Sequence, residues 1–286
     1  MAKNEYEIVK GKFSDAVLFT SEYTPEQIDK IMHDGSYKEI YLRCFYNPNY
    51  DFSFLTKYSH YLEGLEIVGA TNKNYHFVNQ MINLKYLNLQ VYSDDEIDLN
   101  NFVHLENCII QWQKTIKNLF DCLSLKSLSM SYDKKDLDKF SNLVNLEYLQ
   151  IKVCPATSLV GLSKLKKLKN LKIFQFTKLE SLDGVEKLLN LEELVINTCK
   201  KITNINNLAN LTNLKKIVLN NLNDIDSIKP LVDVTSLEDI EIMEDTNIID
   251  GDLNPLVKGK KIKRLVIADR PHYSHLSKDL KKIFNI

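Results

Sequence analysis

Leucine and isoleucine recur in a fixed order through the middle of the chain. One phrase, in which apolar residues stand at its first, fourth and sixth positions, occurs four times between Leu146 and Leu219. The four copies begin at residues 146, 168, 191 and 214, so they are 22 or 23 residues apart. A constant period of this length indicates a stacked repeat array, in which each copy buries its apolar sides only against its neighbours.

Further copies extend the pattern in both directions. Together with the first four they make eleven copies between Tyr37 and Arg270, and they begin at Tyr37, Leu62, Leu84, Leu105, Leu125, Leu237 and Ile262. In each copy the fourth and sixth positions alternate with polar ones, so the two apolar side chains share one face of a short strand. The pattern therefore predicts one strand in each copy, and stacking of the copies predicts a parallel sheet.

The repeated phrase resembles the leucine-rich repeat, and in particular bacterial repeats of the internalin type, over roughly Tyr37 to Arg270. The resemblance implies an α/β fold: a right-handed leucine-rich-repeat solenoid with a curved parallel sheet on its concave face. Return segments of about 15 residues are too short for long helices, so we expect mostly 3₁₀ turns and irregular chain on the convex face. The resemblance also implies a protein as ligand.

The two ends of the chain do not repeat. Residues 1–36 contain an apolar run from Ala16 to Phe19, which predicts a strand, and a helix start at Thr24 and Pro25 with Gln27 as capping partner. In residues 271–286, apolar side chains at 276, 280, 283 and 284 share one helix face. We predict one structural domain, with an N-terminal cap over 1–36, an array over 37–270 and a C-terminal capping helix in 271–286.

Charge and hydropathy argue against two classes of partner. The formal net charge is −1, which leaves no strong basic field for phosphates, so we do not expect nucleic-acid binding. The chain has no run of about 18 apolar residues, so no membrane span is expected. The N-terminus is polar and lacks the apolar core of a signal peptide. We therefore expect a cytoplasmic protein, and we expect a monomer.

No catalytic or metal-binding motif stands out in the sequence. The phosphate-loop, dinucleotide, zinc-protease and serine-hydrolase signatures are missing. His272 and His275 are three residues apart, but Pro271 favours a turn, and two surface histidines explain the spacing equally well. An odd number of cysteines without a C-x-x-C pair favours buried free thiols over disulfides or zinc; they are Cys44, Cys108, Cys122, Cys154 and Cys199. We expect no enzyme activity, no cofactor and no metal.

The strand surface is the remaining candidate site. We expect the third, fifth, seventh and eighth positions of each copy to point away from the core. Copies three to seven would then expose five aromatic side chains on one sheet, and such residues dominate interface hot spots. We predict that the partner-binding surface consists of Tyr86, Trp112, Tyr132, Tyr148, Gln150, Lys152, Lys172 and Phe174. The alternative is that some of the aromatic rings fill gaps in irregular copies.

The tenth copy adds a secondary acidic patch, Asp239, Glu241 and Glu244, for which ordinary surface charge is the alternative explanation. Our first hypothesis is a non-enzymatic protein–protein interaction module that binds a protein on its concave face. A narrower alternative is an immunity or inhibitor protein that neutralises a toxin or enzyme by occluding it. An enzyme with an unrecognised site in the N-terminal segment is a third hypothesis, which the scarcity of clustered polar residues there disfavours.

Overall fold

A computed structural model of the chain describes residues 6–20, 23–35, 37–43, 45–70, 74–258 and 261–286, without the side chains of residues 34 and 35. The chain divides into two compact units, residues 1–130 (unit 1) and residues 131–286 (unit 2). Each unit is built from short strands joined by return segments that contain little regular structure.

Unit 1 begins with an antiparallel hairpin and continues as a parallel stack. Strand β1 pairs antiparallel with β2, and β2, β3, β4, β5 and β7 then pair in parallel in that order. The elements are β1 (Tyr6–Lys10), β2 (Asp15–Phe19), α1 (Pro25–Gly35), β3 (Glu39–Arg43), β4 (Gly64–Val68), β5 (Tyr86–Gln90), β6 (Ile97–Asp98), β7 (Asn107–Gln111), β8 (Ile116–Lys117) and β9 (Ser127–Ser131), whose last residue belongs to unit 2.

Unit 2 is a parallel stack followed by a short helix. Strands β10, β11, β12, β13, β15 and β17 pair in parallel in that order, and β14 pairs with β16 in a separate short sheet. The elements are β10 (Tyr148–Lys152), β11 (Asn170–Phe174), β12 (Glu193–Asn197), β13 (Lys216–Asn220), β14 (Asp224–Ile225), β15 (Asp239–Met243), β16 (Asn247–Ile248), α2 (Asn254–Val257), β17 (Arg264–Ile267) and α3 (Ser277–Phe284).

The repeat register predicted from the sequence is confirmed. A strand begins at the third position of every one of the eleven predicted copies. Like positions face each other across the strands, so that Leu149 lies opposite Leu171 and Leu171 opposite Leu194. These three side chains have no solvent exposure. The period therefore aligns the apolar positions of successive copies into continuous buried rows.

The return segments contain short 3₁₀ turns, as their length predicted. Each of them directs apolar side chains inward, for example Leu162 and Leu208, which are fully buried. Their bounds are Ser53–Tyr58, His76–Gln80, Leu99–Asn101, Leu119–Asp121, Asp138–Asn142, Val160–Leu162, Val185–Lys187, Asn206–Leu208 and Lys229–Leu231.

The terminal segments contain the predicted strand and helices and one element that the sequence did not predict. Helix α1 starts with the expected reciprocal cap, in which the Thr24 N–H donates to Gln27 Oε1 at 2.8 Å and the Gln27 N–H donates to Thr24 Oγ1 at 3.3 Å. Helix α3 is capped by Asp269, whose Oδ1 accepts the Ser277 N–H at 2.6 Å. The new element is β1, which makes a hairpin with the predicted strand β2. The division into cap, array and cap stays a prediction.

The strands of unit 2 end in a repeated backbone feature. The eighth residue of five successive copies has φ between 56° and 60°, in the left-handed region. In four of them its N–H donates to the carbonyl of the last strand residue in the next copy, as from Val153 to Phe174 at 2.9 Å. The strand direction is thus broken after the seventh position. The five residues are Val153, Gln175, Thr198, Asn221 and Glu244.

Candidate functional site

Five of the eight predicted binding residues lie on one surface of unit 2. Tyr148, Gln150 and Lys152 are the third, fifth and seventh residues of their copy on β10, and Lys172 and Phe174 follow on β11. The pairing register sets Gln150 opposite Lys172 and Lys152 opposite Phe174. Because alternate residues of a strand share a face, all five side chains lie on the side of the strands opposite the buried leucines. We call them the β10–β11 surface.

Contacts among these side chains hold the centre of the surface. The Lys172 ammonium lies 5.6 Å from the centroid of the Tyr148 ring, within the range of a cation–π interaction. It also pairs with Glu193 at 3.2 Å. Partial burial, and then the nearby Glu193 charge, raise the pKa of the Tyr148 phenol. Tyr148 donates to Gln150 Oε1 at 3.3 Å.

The edge of the surface is more accessible than its centre. Phe174 is partly exposed, and Lys152 is exposed beside it. Within the described part of the chain, the Lys152 ammonium has no ion-pair partner. Val153, which follows in the left-handed conformation, is 55% exposed. The surface therefore combines aromatic area with one uncompensated positive charge.

Farther along the same face of unit 2, charged side chains neutralise one another. Glu193 pairs with Lys172 and with Lys216 at 3.1 Å. Arg264 pairs with Asp239 at 2.8 Å and with Glu241 at 2.7 Å. The result is a line of alternating charges across the strands rather than a field of one sign.

The predicted acidic patch is part of this line. The guanidinium of Arg264 holds two of its three carboxyl groups, Asp239 and Glu241. The hydrogen bond from Arg264 holds the pKa of the Glu241 carboxyl below its ordinary value, and a hydrogen bond from Asn220 lowers it further. Glu244 lies past the end of the strand in the left-handed conformation. As a binding site the patch stays a prediction, but the charge of two of its members is already compensated.

The expectation that Tyr86 is exposed is wrong. Its side chain is only 7% exposed because the ring packs edge-on against Tyr41, with ring centroids 5.9 Å apart. Its hydroxyl donates to Glu66 at 2.8 Å. Burial, followed by the charge of Glu66, raises the pKa of the Tyr86 phenol. Tyr86 therefore serves packing within unit 1, which is the alternative considered for some of the aromatic residues.

The expectation that Tyr132 is exposed is also wrong. Tyr132 is 1% exposed, its ring meets Phe140 edge-on at 5.3 Å, and its hydroxyl donates to the Asp136 carbonyl at 3.1 Å. Burial raises its pKa to about 12. Tyr132 stands at the eighth position, one residue after β9 ends, where the chain turns away from the strand direction. The eighth position consequently does not share the face of the third, fifth and seventh.

Trp112 also stands at an eighth position and belongs to unit 1. Its ring is partly exposed and lies 5.6 Å from the ring of Phe120, a residue between β8 and β9. Its place after β7 sets it beyond the row of strand residues. As a contact for a partner it stays a prediction.

In unit 1, the hairpin loop covers the face that corresponds to the candidate surface. Glu39, the third residue of its copy, is fully buried and accepts backbone N–H groups from Lys12, Phe13 and Ser14 at 2.8, 2.7 and 2.6 Å. Tyr41 adds a hydroxyl donor to the same carboxylate at 2.8 Å. The loop therefore lies on the Glu39 side chain of β3. Because the third position of a copy was expected to face away from the core, an acidic residue there indicated neither the hairpin nor its loop.

Glu66 is a second buried carboxylate on the strand face of unit 1. It is 3% exposed and accepts hydrogen bonds from Arg43 at 2.6 Å, Tyr86 at 2.8 Å and Asn88 at 2.8 Å. At the same strand positions in unit 2 most side chains are partly exposed. In unit 1 the buried side chains of this face stand at the third and fifth positions of β3, β4 and β5, while those positions on β7 and β9 are partly exposed.

Comparison with known proteins supports the fold. No protein-family profile matches the chain, and neither does any curated protein sequence. The structure is similar to internalin InlF from Listeria monocytogenes, with a TM-score of 0.66 and 20% sequence identity over 92% of this chain and 73% of that chain. The chain has the leucine-rich-repeat fold. The functional domain of InlJ from Listeria monocytogenes is also similar, with a TM-score of 0.57 and 19% identity over 80% of this chain and 47% of that one.

The second position of the leucine-rich repeats carries a charge pattern that the sequence analysis missed. Lysine and glutamate alternate there in all eleven copies. In unit 1, Glu63 pairs with Lys38 at 2.9 Å and with Lys85 at 2.8 Å. Three pairs of 2.7–2.8 Å follow in unit 2. Reading this column down the copies would have found it; its members are Lys38, Glu63, Lys85, Glu106, Lys126, Glu147, Lys169, Glu192, Lys215, Glu238 and Lys263.

The cysteines do not form a continuous column in these leucine-rich repeats. The InlJ domain includes a cysteine ladder, whereas here Cys154 and Cys199 occupy the ninth position of two copies and Phe176 occupies it in the copy between. Both thiols are buried, as predicted, and burial raises the pKa of each to about 11. Cys108 and Cys122 are also buried free thiols. Cys44 lies outside the described residues.

Neither a metal site nor a membrane helix is found in the described residues. Among them, no group of three or more histidine, cysteine or acidic side chains is placed to hold a metal ion. His272 bonds the Ile248 carbonyl at 2.9 Å, and His275 bonds Ser274 at 2.9 Å. None of the helices in the same residues is long and apolar enough to cross a membrane.

Proposed function

We propose that the protein is a non-enzymatic interaction module that binds a protein partner through the β10–β11 surface. The observation that carries the proposal is that accessible aromatic rings and an exposed lysine lie on two adjacent strands of unit 2. At the third and fifth positions of β3, β4 and β5, the corresponding face is filled by buried residues such as Glu39 and Tyr86, whereas on β10 and β11 Tyr148 and Phe174 are partly exposed beside exposed Lys152. Solenoids of this kind use their strand surfaces for extended binding.

The physical properties of the surface suit protein recognition. Paired strands hold its backbone, so little conformational entropy is lost when a partner docks. Tyr148 and Phe174 supply apolar area, and the Tyr148 hydroxyl keeps a polar tip for a specific hydrogen bond. Gln150 and Lys172 lie between the two rings, and Lys152 lies opposite Phe174. Aromatic residues together with polar groups that can form hydrogen bonds are typical of interfaces.

Affinity capture with matched variants tests the proposal. The bait is the full chain, and the test variant is the double substitution Tyr148→Ala/Phe174→Ala. Two single variants in unit 2 serve as controls: Leu189→Ala removes a side chain that is 55% exposed, and Lys187→Ala removes an exposed charge. We expect a protein that both controls retain and the test variant loses. For a hot spot the loss in affinity should be about thirtyfold or more.

Two outcomes would contradict the proposal. One is a partner that the double variant retains and that Lys187→Ala or Leu189→Ala loses, because the site would then lie on the return segments. The other is turnover of a small molecule by the purified chain that Tyr148→Ala/Phe174→Ala abolishes. A retained partner whose own catalytic activity is blocked on binding would support the inhibitor alternative. The cytoplasmic location and the monomeric state stay predictions, which fractionation and sedimentation would test.

A further inference from the structure

We propose that the partner presents a segment in which an acidic side chain stands next to a large apolar one. In this arrangement Lys152 receives the acidic group, and Phe174 receives the apolar side chain. This inference rests on the proposed function, because it specifies the chemistry of the ligand for the same surface. It adds a charge sign and a side-chain order that the fold alone does not imply.

The charge sign follows from the ion pairs of unit 2. On its strand face the carboxylates Glu193, Asp239 and Glu241 are each paired with a lysine or arginine. The cations of those pairs are thereby used as well. Lys152 is the exception: it is exposed, and no described carboxylate lies within ion-pair distance of it. Docking a protein over Lys152 removes water from its ammonium group.

An ammonium group that loses water needs a new partner. Burial of an unpaired charge is strongly unfavourable, and a carboxylate in the ligand offsets that cost. A basic segment would add repulsion to the desolvation and is therefore selected against. The same reasoning disfavours a segment without charge, because it would leave Lys152 buried and unpaired. The ligand should carry Asp or Glu at the point that meets Lys152.

The position of the apolar group follows from the strand register. Phe174 lies directly opposite Lys152 on the neighbouring strand, and neighbouring strands are about 4.8 Å apart. The ligand must therefore place its carboxylate and its apolar side chain next to each other.

The backbone around this spot is well fixed. The Val153 N–H donates to the Phe174 carbonyl at 2.9 Å, and the Tyr132 N–H donates to the Lys152 carbonyl at 2.9 Å. The end of β10 is thus joined by backbone hydrogen bonds to β11 on one side and to the residue that follows β9 on the other. The positions that follow along the seventh row, Asn197 and Asn220, are neither apolar nor charged. Neither of these two positions thus repeats the combination of a cation and an aromatic ring that β10 and β11 present.

Selection from a library of short random peptides tests the inference. The library is displayed on phage and panned against the immobilised full chain, with Tyr148→Ala/Phe174→Ala protein in solution to discard peptides that bind elsewhere. We expect the retained peptides to be enriched in Asp or Glu adjacent to Phe, Leu, Ile, Trp or Tyr. The best of them is then made synthetically, together with a version in which its acidic residue is replaced by Lys.

Binding of these two peptides is measured by fluorescence anisotropy. We expect Lys152→Ala to lower the affinity for the acidic peptide about tenfold and Lys152→Glu to lower it further. Lys187→Ala should leave the affinity unchanged. The Lys-substituted peptide should not bind the wild-type chain and should regain binding to Lys152→Glu. Such a reciprocal exchange requires contact between the two charges, and a general loss of folding cannot produce it.

The failure of this inference is distinguishable from the failure of the proposed function. Retained peptides that are basic or uncharged, and that still need Tyr148 and Phe174, would overturn the acidic chemistry and leave the proposed surface intact. Peptides that bind the double variant as well as the wild type would overturn both. Absence of any enriched peptide would count against a ligand in the form of a short segment.

Discussion

Replacing Glu39 by glutamine should loosen the hairpin loop from unit 1. The change keeps the size and shape of the side chain but removes its charge and one acceptor oxygen. Glu39 is fully buried, and its two oxygens accept the N–H groups of Lys12, Phe13 and Ser14. The amide nitrogen of glutamine cannot accept a hydrogen bond, so at least one of these buried donors loses its partner.

The magnitude follows from the number and kind of the bonds. A buried donor left unpaired costs about 1–3 kcal/mol, and each remaining bond changes from charge-assisted to neutral at a cost of about 1 kcal/mol. With one donor orphaned and two backbone bonds weakened, we expect a loss of about 3–5 kcal/mol in the free energy of unfolding of unit 1. For a unit of this size such a loss lowers the melting temperature by roughly 10–20 °C.

Two measurements check this expectation. Urea unfolding gives the free energy, and amide hydrogen exchange reports on the N–H groups of Lys12, Phe13 and Ser14, which should exchange faster in Glu39→Gln. The matched control is Asp15→Asn, which removes an exposed carboxylate from the same hairpin and should change stability by less than about 0.5 kcal/mol. If Glu39→Gln unfolds like the wild type and its loop amides keep their protection, the proposed closure of this face is wrong.

Three further predictions concern unit 2. Leu171→Ala should lower the unfolding free energy by about 2–5 kcal/mol, because the fully buried side chain leaves a cavity; melting at the wild-type temperature would mean that the register is wrong. Val153→Asn should raise the free energy of unfolding by roughly 0.5–1 kcal/mol, because asparagine adopts a left-handed φ more readily than valine and Asn221 already occupies the equivalent place. A lower free energy of unfolding in urea would show that the Val153 backbone is not strained. Arg264 lowers the pKa of Glu241, so the stabilisation from their pair is present above the ordinary carboxyl pKa and lost as the pH falls through the lowered value. Calorimetry below about pH 4.5 should therefore show a smaller acid-induced loss in Glu241→Gln than in the wild type.

Much of the fold could be predicted because it depends on one short period. The spacing of the leucines determined where each strand begins, even in the early copies where Tyr37 or Leu105 opens a less regular phrase. Helix α1 was predictable from local capping residues. Strand β1 was not, because a hairpin with β2 depends on a turn between two weakly patterned segments rather than on the repeat.

The candidate site was predictable only where the strand geometry continued. Alternation along β10 and β11 placed Tyr148, Lys152 and Phe174 correctly on one face. Tyr132 was misplaced because alternation stops at the end of a strand, and the turn there is set by backbone conformation. Tyr86 was misplaced because its burial depends on Tyr41, which belongs to another copy. Contacts between copies are tertiary, and one copy read alone does not contain them.

Photo-crosslinking from the β10–β11 surface tests the central claim most directly. A photoreactive phenylalanine analogue is placed at Phe174 in the full chain, and in a second protein at Leu189, which is more accessible than Phe174 and lies in a return segment of unit 2. Both are expressed in the native cell and irradiated. The account predicts a discrete protein adduct from position 174 that Tyr148→Ala suppresses, and none from position 189. An adduct from position 189 with none from position 174 would contradict it.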